Sequence, residues 1–220
     1  MLFSLHTVHI LRRVPSPRVL VFGAGGHGRV VAEVVQACGH TVDGFIDDGV
    51  PAGTQVLGLP VLGGASFLDS QPSRVVALGI GHNGTRQRIA RRLQAQGHQL
   101  PAFIHPSSVI SPTALLGAGV VAMPRVVVNA EARVHDGAIL NTACVVEHDC
   151  VIGEFAHLSP QCGLGGGAQV GARTHIGIGA TLLHLARVGD DCVVGGGSVV
   201  LKHVAAGLTV VGVPARPLTK

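Results

Sequence analysis

His148 stands between two carboxylates, Glu147 and Asp149. An imidazole titrates near neutral pH, so it can take a proton from an amine or hydroxyl under physiological conditions. A carboxylate beside it would orient the ring and strengthen it as a base. Histidine as a residue type says little in a chain that holds 13 of them, so position has to carry the argument. A second constellation lies near the start. Gly23, Gly25 and Gly28 form G-x-G-x-x-G, and Asp47 follows 19 residues after Gly28. Such glycines let a phosphate approach backbone N–H groups at a helix N-terminus, and an acidic residue at the end of the next strand can hold a ribose hydroxyl. The five cysteines form no C-x-x-C pair, so neither a zinc ribbon nor a redox motif is expected, and no metal site is predicted.

Two kinds of architecture must position these groups. From Arg18 to Phe103 strand and helix signals alternate. Arg18–Phe22 reads as a buried strand running into Gly23. Val30, Val31, Val34 and Val35 mark the apolar face of a helix stopped by Gly39. Thr41–Ile46 and Arg74–Leu78 read as further strands, and 85–96 as a helix with Ile89 and Leu93 inward. This is a small parallel α/β, Rossmann-like unit. After Phe103 a period of six takes over. All seventeen positions taken in steps of six from Ile104 to Val200 are aliphatic, although hydrophobic residues make up only 47% of the chain. A stripe of mostly small residues runs two positions earlier, through Ala132, Ala138, Cys144, Cys150 and Cys162 to Cys192 and Ser198. One bulky aliphatic residue per flat face, with a small one at the corner, is what a stacked β-solenoid demands of each coil. Four of the five cysteines fall on the small stripe and read as buried packing residues. His148 lies two residues past the aliphatic Val146, in the outward phase.

Composition narrows the function classes. Glycine reaches 32 residues, and Trp and Tyr are absent, which suits a thin layered core. The net charge of +4 can favour anionic ligands such as phosphates. Arg86, Arg88, Arg91 and Arg92 are expected to share one solvated helix face. Basic residues without interleaved aromatics exclude a nucleic-acid footprint. No apolar run reaches transmembrane length, so no membrane insertion is expected. The first 17 residues place their apolar stretch before the charges, the reverse of a secretory signal. They read as a poorly ordered extension of a cytoplasmic protein. The expected organisation is therefore an extension over 1–17, an α/β nucleotide-binding domain over 18–103, and a β-helix with its tail over 104–220.

The unbroken repeat resembles the hexapeptide-repeat acyltransferases, and the closing stretch Val211–Pro217 looks like the segment that ends many of them. A narrower resemblance spans 18–217. Gly23–Gly28, Phe45–Asp48, Gly79–Asn83 and above all Asn141–Gly153 are similar to the sugar O/N-acetyltransferases of the bacillosamine and sialic-acid pathways. The resemblance implies a left-handed parallel β-helix and a homotrimer with active sites at subunit interfaces. It implies transfer of acetyl from acetyl-CoA to the amine of a UDP- or GDP-linked 4-amino sugar, directly and without an acyl-enzyme. By the same carry-over His148 is the proton acceptor and Asp149 its partner. His157, Ile178 and Gly196 touch acetyl-CoA. Gly25, Gly26, His27, Asp47, Asp48 and Gly81 hold the nucleotide sugar. The family members in view have Glu where this chain has Asp149. His157 lies nine residues from His148, half an 18-residue coil, so a subunit interface would be needed to join them.

His184 falls two coils beyond His148 on the same face, about 10 Å away. His135 and His175 are expected on the solenoid surface. Three other readings compete. One is O-acetylation of sialic acid or another sugar hydroxyl by the same base. Another is a zinc solenoid of the carbonic-anhydrase type, which no pair of solenoid histidines five apart supports. The third is a non-catalytic sugar-nucleotide or NAD-binding module on a trimerising stem.

Overall fold

The computed structural model describes residues 18–218. The expected extension over 1–17 lies outside them.

The chain opens with β1 (Arg18–Phe22), α1 (Gly26–Ala37) and β2 (Thr41–Ile46). It continues through β3 (Gln55–Val56), β4 (Leu59–Gly63), α2 (Ser66–Asp69), β5 (Val75–Leu78) and α3 (Asn83–Ala95). The strands form one sheet in the order β3-β4-β2-β1-β5. β1, β2, β4 and β5 pair in parallel, while β3 and β4 make an antiparallel hairpin. The β3–β4 hairpin and α2 are not evident from the apolar pattern, because their residues are mostly half-buried and their strands short. Helix α1 buries Val31, Ala32, Val34 and Val35, whereas Val30 is 39% exposed and does not belong to the inward face. Gly39 ends the helix at φ +82, a conformation open to glycine, and its N–H bonds the carbonyl of Gln36.

From Phe103 onward two-residue strands stack into three parallel sheets. Face one carries Val109–Ile110, Val127–Val128, Val145–Val146, Gly163–Leu164, Thr181–Leu182 and Val199–Val200. Face two runs from Leu115–Leu116 to His203–Val204, and face three from Phe103–Ile104 to Arg216–Pro217. Partners lie 18 residues apart, as in Val127↔Val145, until Arg187 pairs with His203 and the last coil shortens. The inward aliphatic stripe is buried from Ala122 through Val200, and the small stripe beside it is equally sealed, Cys144, Cys150 and Cys162 included. The three stripe positions that remain partly open, Ile104, Ile110 and Leu116, belong to the first coil, which has no coil beneath it.

The corners repeat one device. Glu131, Ala143, Asp149, Phe155, Gln161, Arg173, Leu185 and Asp191 all sit at φ between 54 and 60, and glycine fills the same place at Gly137, Gly167, Gly179 and Gly197. A left-handed residue turns the chain sharply enough to begin the next face.

The α/β unit sits on face three. On faces one and two the outward strand residue is usually exposed or half-buried. On face three Val121, Ile139 and His157 are buried along with their inward neighbours. Leu78, Leu100 and Phe155 share one apolar cluster across that junction.

Candidate active site

His148 occupies the corner between faces one and two. Its Nδ1 lies 2.7 Å from Asp149 Oδ2, and both side chains are more than 60% exposed. Asp149 adopts the left-handed corner conformation, φ +59, which brings its short carboxylate back beside the preceding ring. Glu147 is already engaged: it accepts a hydrogen bond from Asn129 Nδ2 at 2.8 Å. Of the two flanking acids, then, only Asp149 pairs with the imidazole. The ring leans over Gly166 in the next coil, where an added Cβ would lie 2.5 Å from Nε2. With Nδ1–H directed at the carboxylate, Nε2 carries the lone pair and faces solvent.

The glycine loop is built as a backbone cradle. Gly28 packs so closely on the loop that a Cβ there would meet the Gly23 carbonyl oxygen at 1.8 Å. Around Gly25 and Gly26 there is open space. Gly25 caps α1 without a side-chain hydrogen bond, so the first N–H groups of this 12-residue helix are free to meet an anion. Asp47 ties the cradle: Oδ2 accepts from Ala24 N at 2.7 Å and Oδ1 from Gly49 N at 2.8 Å. Asp48 accepts from Ala65 N at 2.7 Å. Both carboxylates therefore shape the loop, whatever else they contact.

Between the two regions lies a junction that the sequence pattern does not reveal. Arg86 on α3 is fully buried, which corrects its expected place on a solvated face; Arg88, Arg91 and Arg92 are exposed as expected. Its guanidinium donates to the carbonyls of Gly137 (2.7 Å), Phe155 (2.7 Å) and Ala156 (3.3 Å) in the solenoid. It also donates to Ile80 O (3.1 Å), Gly81 O (2.9 Å) and Asn83 Oδ1 (3.0 Å) in the α/β unit. Among the described residues no carboxylate pairs with it, and burial pulls its pKa down to about 9.

Three histidines gather beside it. The rings of His27 and His157 are 6.1 Å apart, and those of His157 and His175 are 4.7 Å apart. Burial first, and the nearby Arg86 charge second, bring His27 down to about 4. Burial, then the charges of His175 and Arg86, bring His157 down to about 3. His27 and His157 are thus neutral at pH 7, and burial first, then the Arg86 charge, lowers His175 in the same direction. Asn141 Nδ2 donates to His157 Nε2 at 3.2 Å, leaving His157 Nδ1 buried and unpartnered among the described residues. His175 is half-buried, with Nε2 2.8 Å from Ser159 Oγ, not a plain surface residue as expected. Beside it a cleft of about 300 Å3 opens between the N-terminus of α3 and face three, lined by Gly81, Asn83, Arg173, His175 and Asp191 among others.

Besides the cradle of Gly25, Gly26, Asp47 and Asp48, the residues singled out in the sequence form three groups in one chain. His27, Gly81 and His157 meet at the junction through Arg86. His148 and Asp149 pair at one edge of face one. Ile178, 62% exposed, and Gly196 stack on the opposite edge of that face, the Gly196 Cβ position lying 3.2 Å from the Ile178 carbonyl. Arg86 and Asn141 are the site residues that spacing does not pick out. Among the described residues no three His, Cys, Asp or Glu side chains converge so as to hold a metal ion, and no helix is long and apolar enough to cross a membrane.

Residues 18–93 match the family model of the PglD N-terminal domain. The crystal structure of PerB from Caulobacter crescentus, in complex with CoA and GDP-perosamine, is 39% identical in sequence. It aligns over 91% of this chain and 97% of that one, with a TM-score of 0.87. The chain belongs to the hexapeptide-repeat nucleotide-sugar acetyltransferases. Its solenoid is accordingly the left-handed β-helix of that family, and the chain is an acetyl-CoA-dependent acyltransferase acting on a nucleotide-linked amino sugar. The acetyltransferase domain of PglB from Neisseria gonorrhoeae, solved with acetyl coenzyme A, is 38% identical over 92% of this chain and all of that one, TM-score 0.89. A GDP-perosamine N-acetyltransferase of Escherichia coli is 28% identical over 91% of this chain and 96% of its own length. Two further structures of the Caulobacter crescentus acetyltransferase carry one histidine replaced, by asparagine or by alanine, with CoA and GDP-perosamine bound.

Proposed function

We propose that this acetyltransferase acts on a GDP-linked 4-amino sugar, with His148 as general base and Asp149 as its orienting partner. The observation that carries the reading is the His148–Asp149 pair, at 2.7 Å on an exposed solenoid corner. Asp149 holds the proton on Nδ1, so Nε2 accepts one from the sugar amine. The amine nitrogen attacks the thioester carbonyl carbon. The tetrahedral intermediate then collapses, the C–S bond breaks, and the CoA thiolate leaves and takes up a proton. The inward cysteines, sealed in the solenoid, offer no nucleophile for a covalent route.

The glycine cradle, with Gly25, Gly26 and His27, receives the nucleotide diphosphate, with Asp47, Asp48 and Gly81 completing its pocket. His157, Ile178 and Gly196 receive acetyl-CoA. Since His148 and the Ile178–Gly196 pair lie on opposite edges of face one, a homotrimer completes each site by facing one chain's edge to its neighbour's. Exposed Leu185, Ile178 and Val213 support that assembly. Five unpaired cysteines support a reducing, cytoplasmic setting. The guanosine choice rests on the two GDP-perosamine relatives.

The test is thiol release from acetyl-CoA with a panel of GDP- and UDP-linked 4-amino sugars and their 4-hydroxy analogues, run on wild type and His148→Ala. The expected result is turnover of a GDP-linked amine and a loss of about 10²–10⁴ in kcat for the variant. Full rate in His148→Ala would refute the assignment of the base, and preference for a hydroxyl acceptor would refute N-acetylation.

A further inference from the structure

One buried side chain ties the α/β unit to the solenoid, and its ties end beside both of the regions that receive substrate. The N–H groups of Arg86 are all engaged, and every acceptor is neutral. On the solenoid side the fork holds the carbonyls of Gly137 and Phe155, the latter two residues before His157. On the α/β side it holds the carbonyls of Ile80 and Gly81, just past the end of β5. Among the described residues no backbone N–H serves any of these four carbonyls, so the guanidinium is what satisfies them. The grip passes on through backbone that cannot yield. Gly79 touches the glycine loop so closely that a Cβ on it would lie 2.8 Å from Gly28 Cα, and a Cβ on Gly23 would lie 2.6 Å from the Gly79 carbonyl oxygen. The cradle and His27 therefore move only with the segment that Arg86 holds. Asn83 makes a second tie: its Oδ1 accepts from Arg86 at 3.0 Å, and its Nδ2 donates to Arg173 O at 2.7 Å.

We infer that Arg86 is a positioning residue for acetyl transfer: it fixes the cradle and His27 against His157, and so sets the distance between the bound amine and the bound thioester. The inference rests on the proposed places of the nucleotide diphosphate at the cradle and of acetyl-CoA at His157. Arg86 is fully buried and has no surface to offer either substrate, so it acts through these neighbours. The apolar contacts of Leu78, Leu100 and Phe155 hold the two units together, but apolar attraction has no preferred direction. A planar fork with donors in fixed directions does, and it sets the register of one unit on the other. The His27 and His157 rings are 6.1 Å apart, so a shift of the α/β unit is felt directly where the two regions meet. Direct transfer needs the reacting atoms within about 3–3.5 Å, and a displacement of about 1 Å can cost about 10²-fold.

The experiment measures kcat and the KM of each substrate in wild type, Arg86→Lys and Asn83→Ala, below their unfolding midpoints, with rates normalised to the folded fraction read by circular dichroism. Lysine keeps the charge but is a point donor that cannot span both sides. Arg86→Lys is expected to lower kcat by about 10–10²-fold while both KM values stay within about threefold, because each binding region stays whole and only their alignment is lost. Asn83→Ala keeps the guanidinium and removes the second tie; a fall of about threefold in kcat, again with KM unmoved, is expected. An unchanged normalised kcat in Arg86→Lys overturns the inference, and so does a loss that falls on the KM of one substrate, which would make Arg86 part of that substrate's binding. Should Arg86→Lys not fold, Asn83→Ala decides, and its full kcat overturns the inference. All of these outcomes leave the proposed function standing. Failure of the wild type to acetylate any nucleotide-linked amine would remove both.

Discussion

Acidification from pH about 7.5 to about 5 should strip this protein of a large part of its stability, and the buried histidine stack gives the size of the effect. His27 and His157 hold pKa values of about 4 and about 3 in the fold. An unfolded histidine titrates near 6.5. Their folded values are depressed, so the unfolded chain binds more protons below pH 6.5. Stability is then complete above that pH and is lost as pH falls toward the folded values. At pH 5 each ring contributes a loss of about 2 kcal/mol, so the pair removes about 4 kcal/mol. His175, also depressed by burial and by Arg86, acts in the same direction. The lowered carboxylates of Asp69 and Asp191 titrate below 3.8 and stay out of this window. Urea denaturation at one protein concentration, repeated from pH 7.5 down to 5, reads the slope. His157→Gln should remove about half of it, because one titrating ring is gone. A midpoint that stays flat across the window, or a slope indifferent to His157→Gln, would show that the stack does not hold these rings neutral.

Three other outcomes follow from single contacts. Arg86→Ala leaves the carbonyls of Gly137 and Phe155 without their donor, while Ala156 keeps the Ile139 N–H, and a loss of about 3–5 kcal/mol is expected in thermal or urea unfolding. Arg86→Lys, which keeps the charge but not the fork, should recover less than half of it. Gly166→Ala pushes the exposed His148 ring off its seat, so kcat should fall about 10²-fold while the unfolding midpoint stays within a few degrees of wild type. Gly28→Ala drives a Cβ into the Gly23 carbonyl, which is backbone and cannot yield; a loss above about 3 kcal/mol, or no soluble protein, is the expected readout.

The legibility of this chain divides along a physical line. The solenoid could be read from sequence because each coil touches only the coil above and below, so the same demand recurs every six residues and cannot hide. Cys144, Cys150, Cys162 and Cys192 lie inside as their place on the small stripe required. The outward phase of His148 and the adjacency of Asp149 followed from the same count. The glycine turn was legible for a local reason too, since G-x-G-x-x-G between a strand and a helix marks a close backbone approach, seen where Gly28 packs on Gly23. The hairpin β3–β4 escaped because β3 has two residues and the five of β4 are mostly half-buried, which leaves too little pattern.

What tertiary structure alone decided is the meeting of the two units. Arg86 reads as one more basic residue on a helix until α3 is laid against carbonyls 51, 69 and 70 positions away. His175 reads as a surface residue until the α/β unit roofs its neighbour His157, and Val30 reads as core until α1 chooses the face it turns inward. Periodicity reports which side of a local element is apolar. It carries no record of which element will later cover the other side, and that covering buries the guanidinium, holds the histidines neutral and brings the glycine loop to the solenoid.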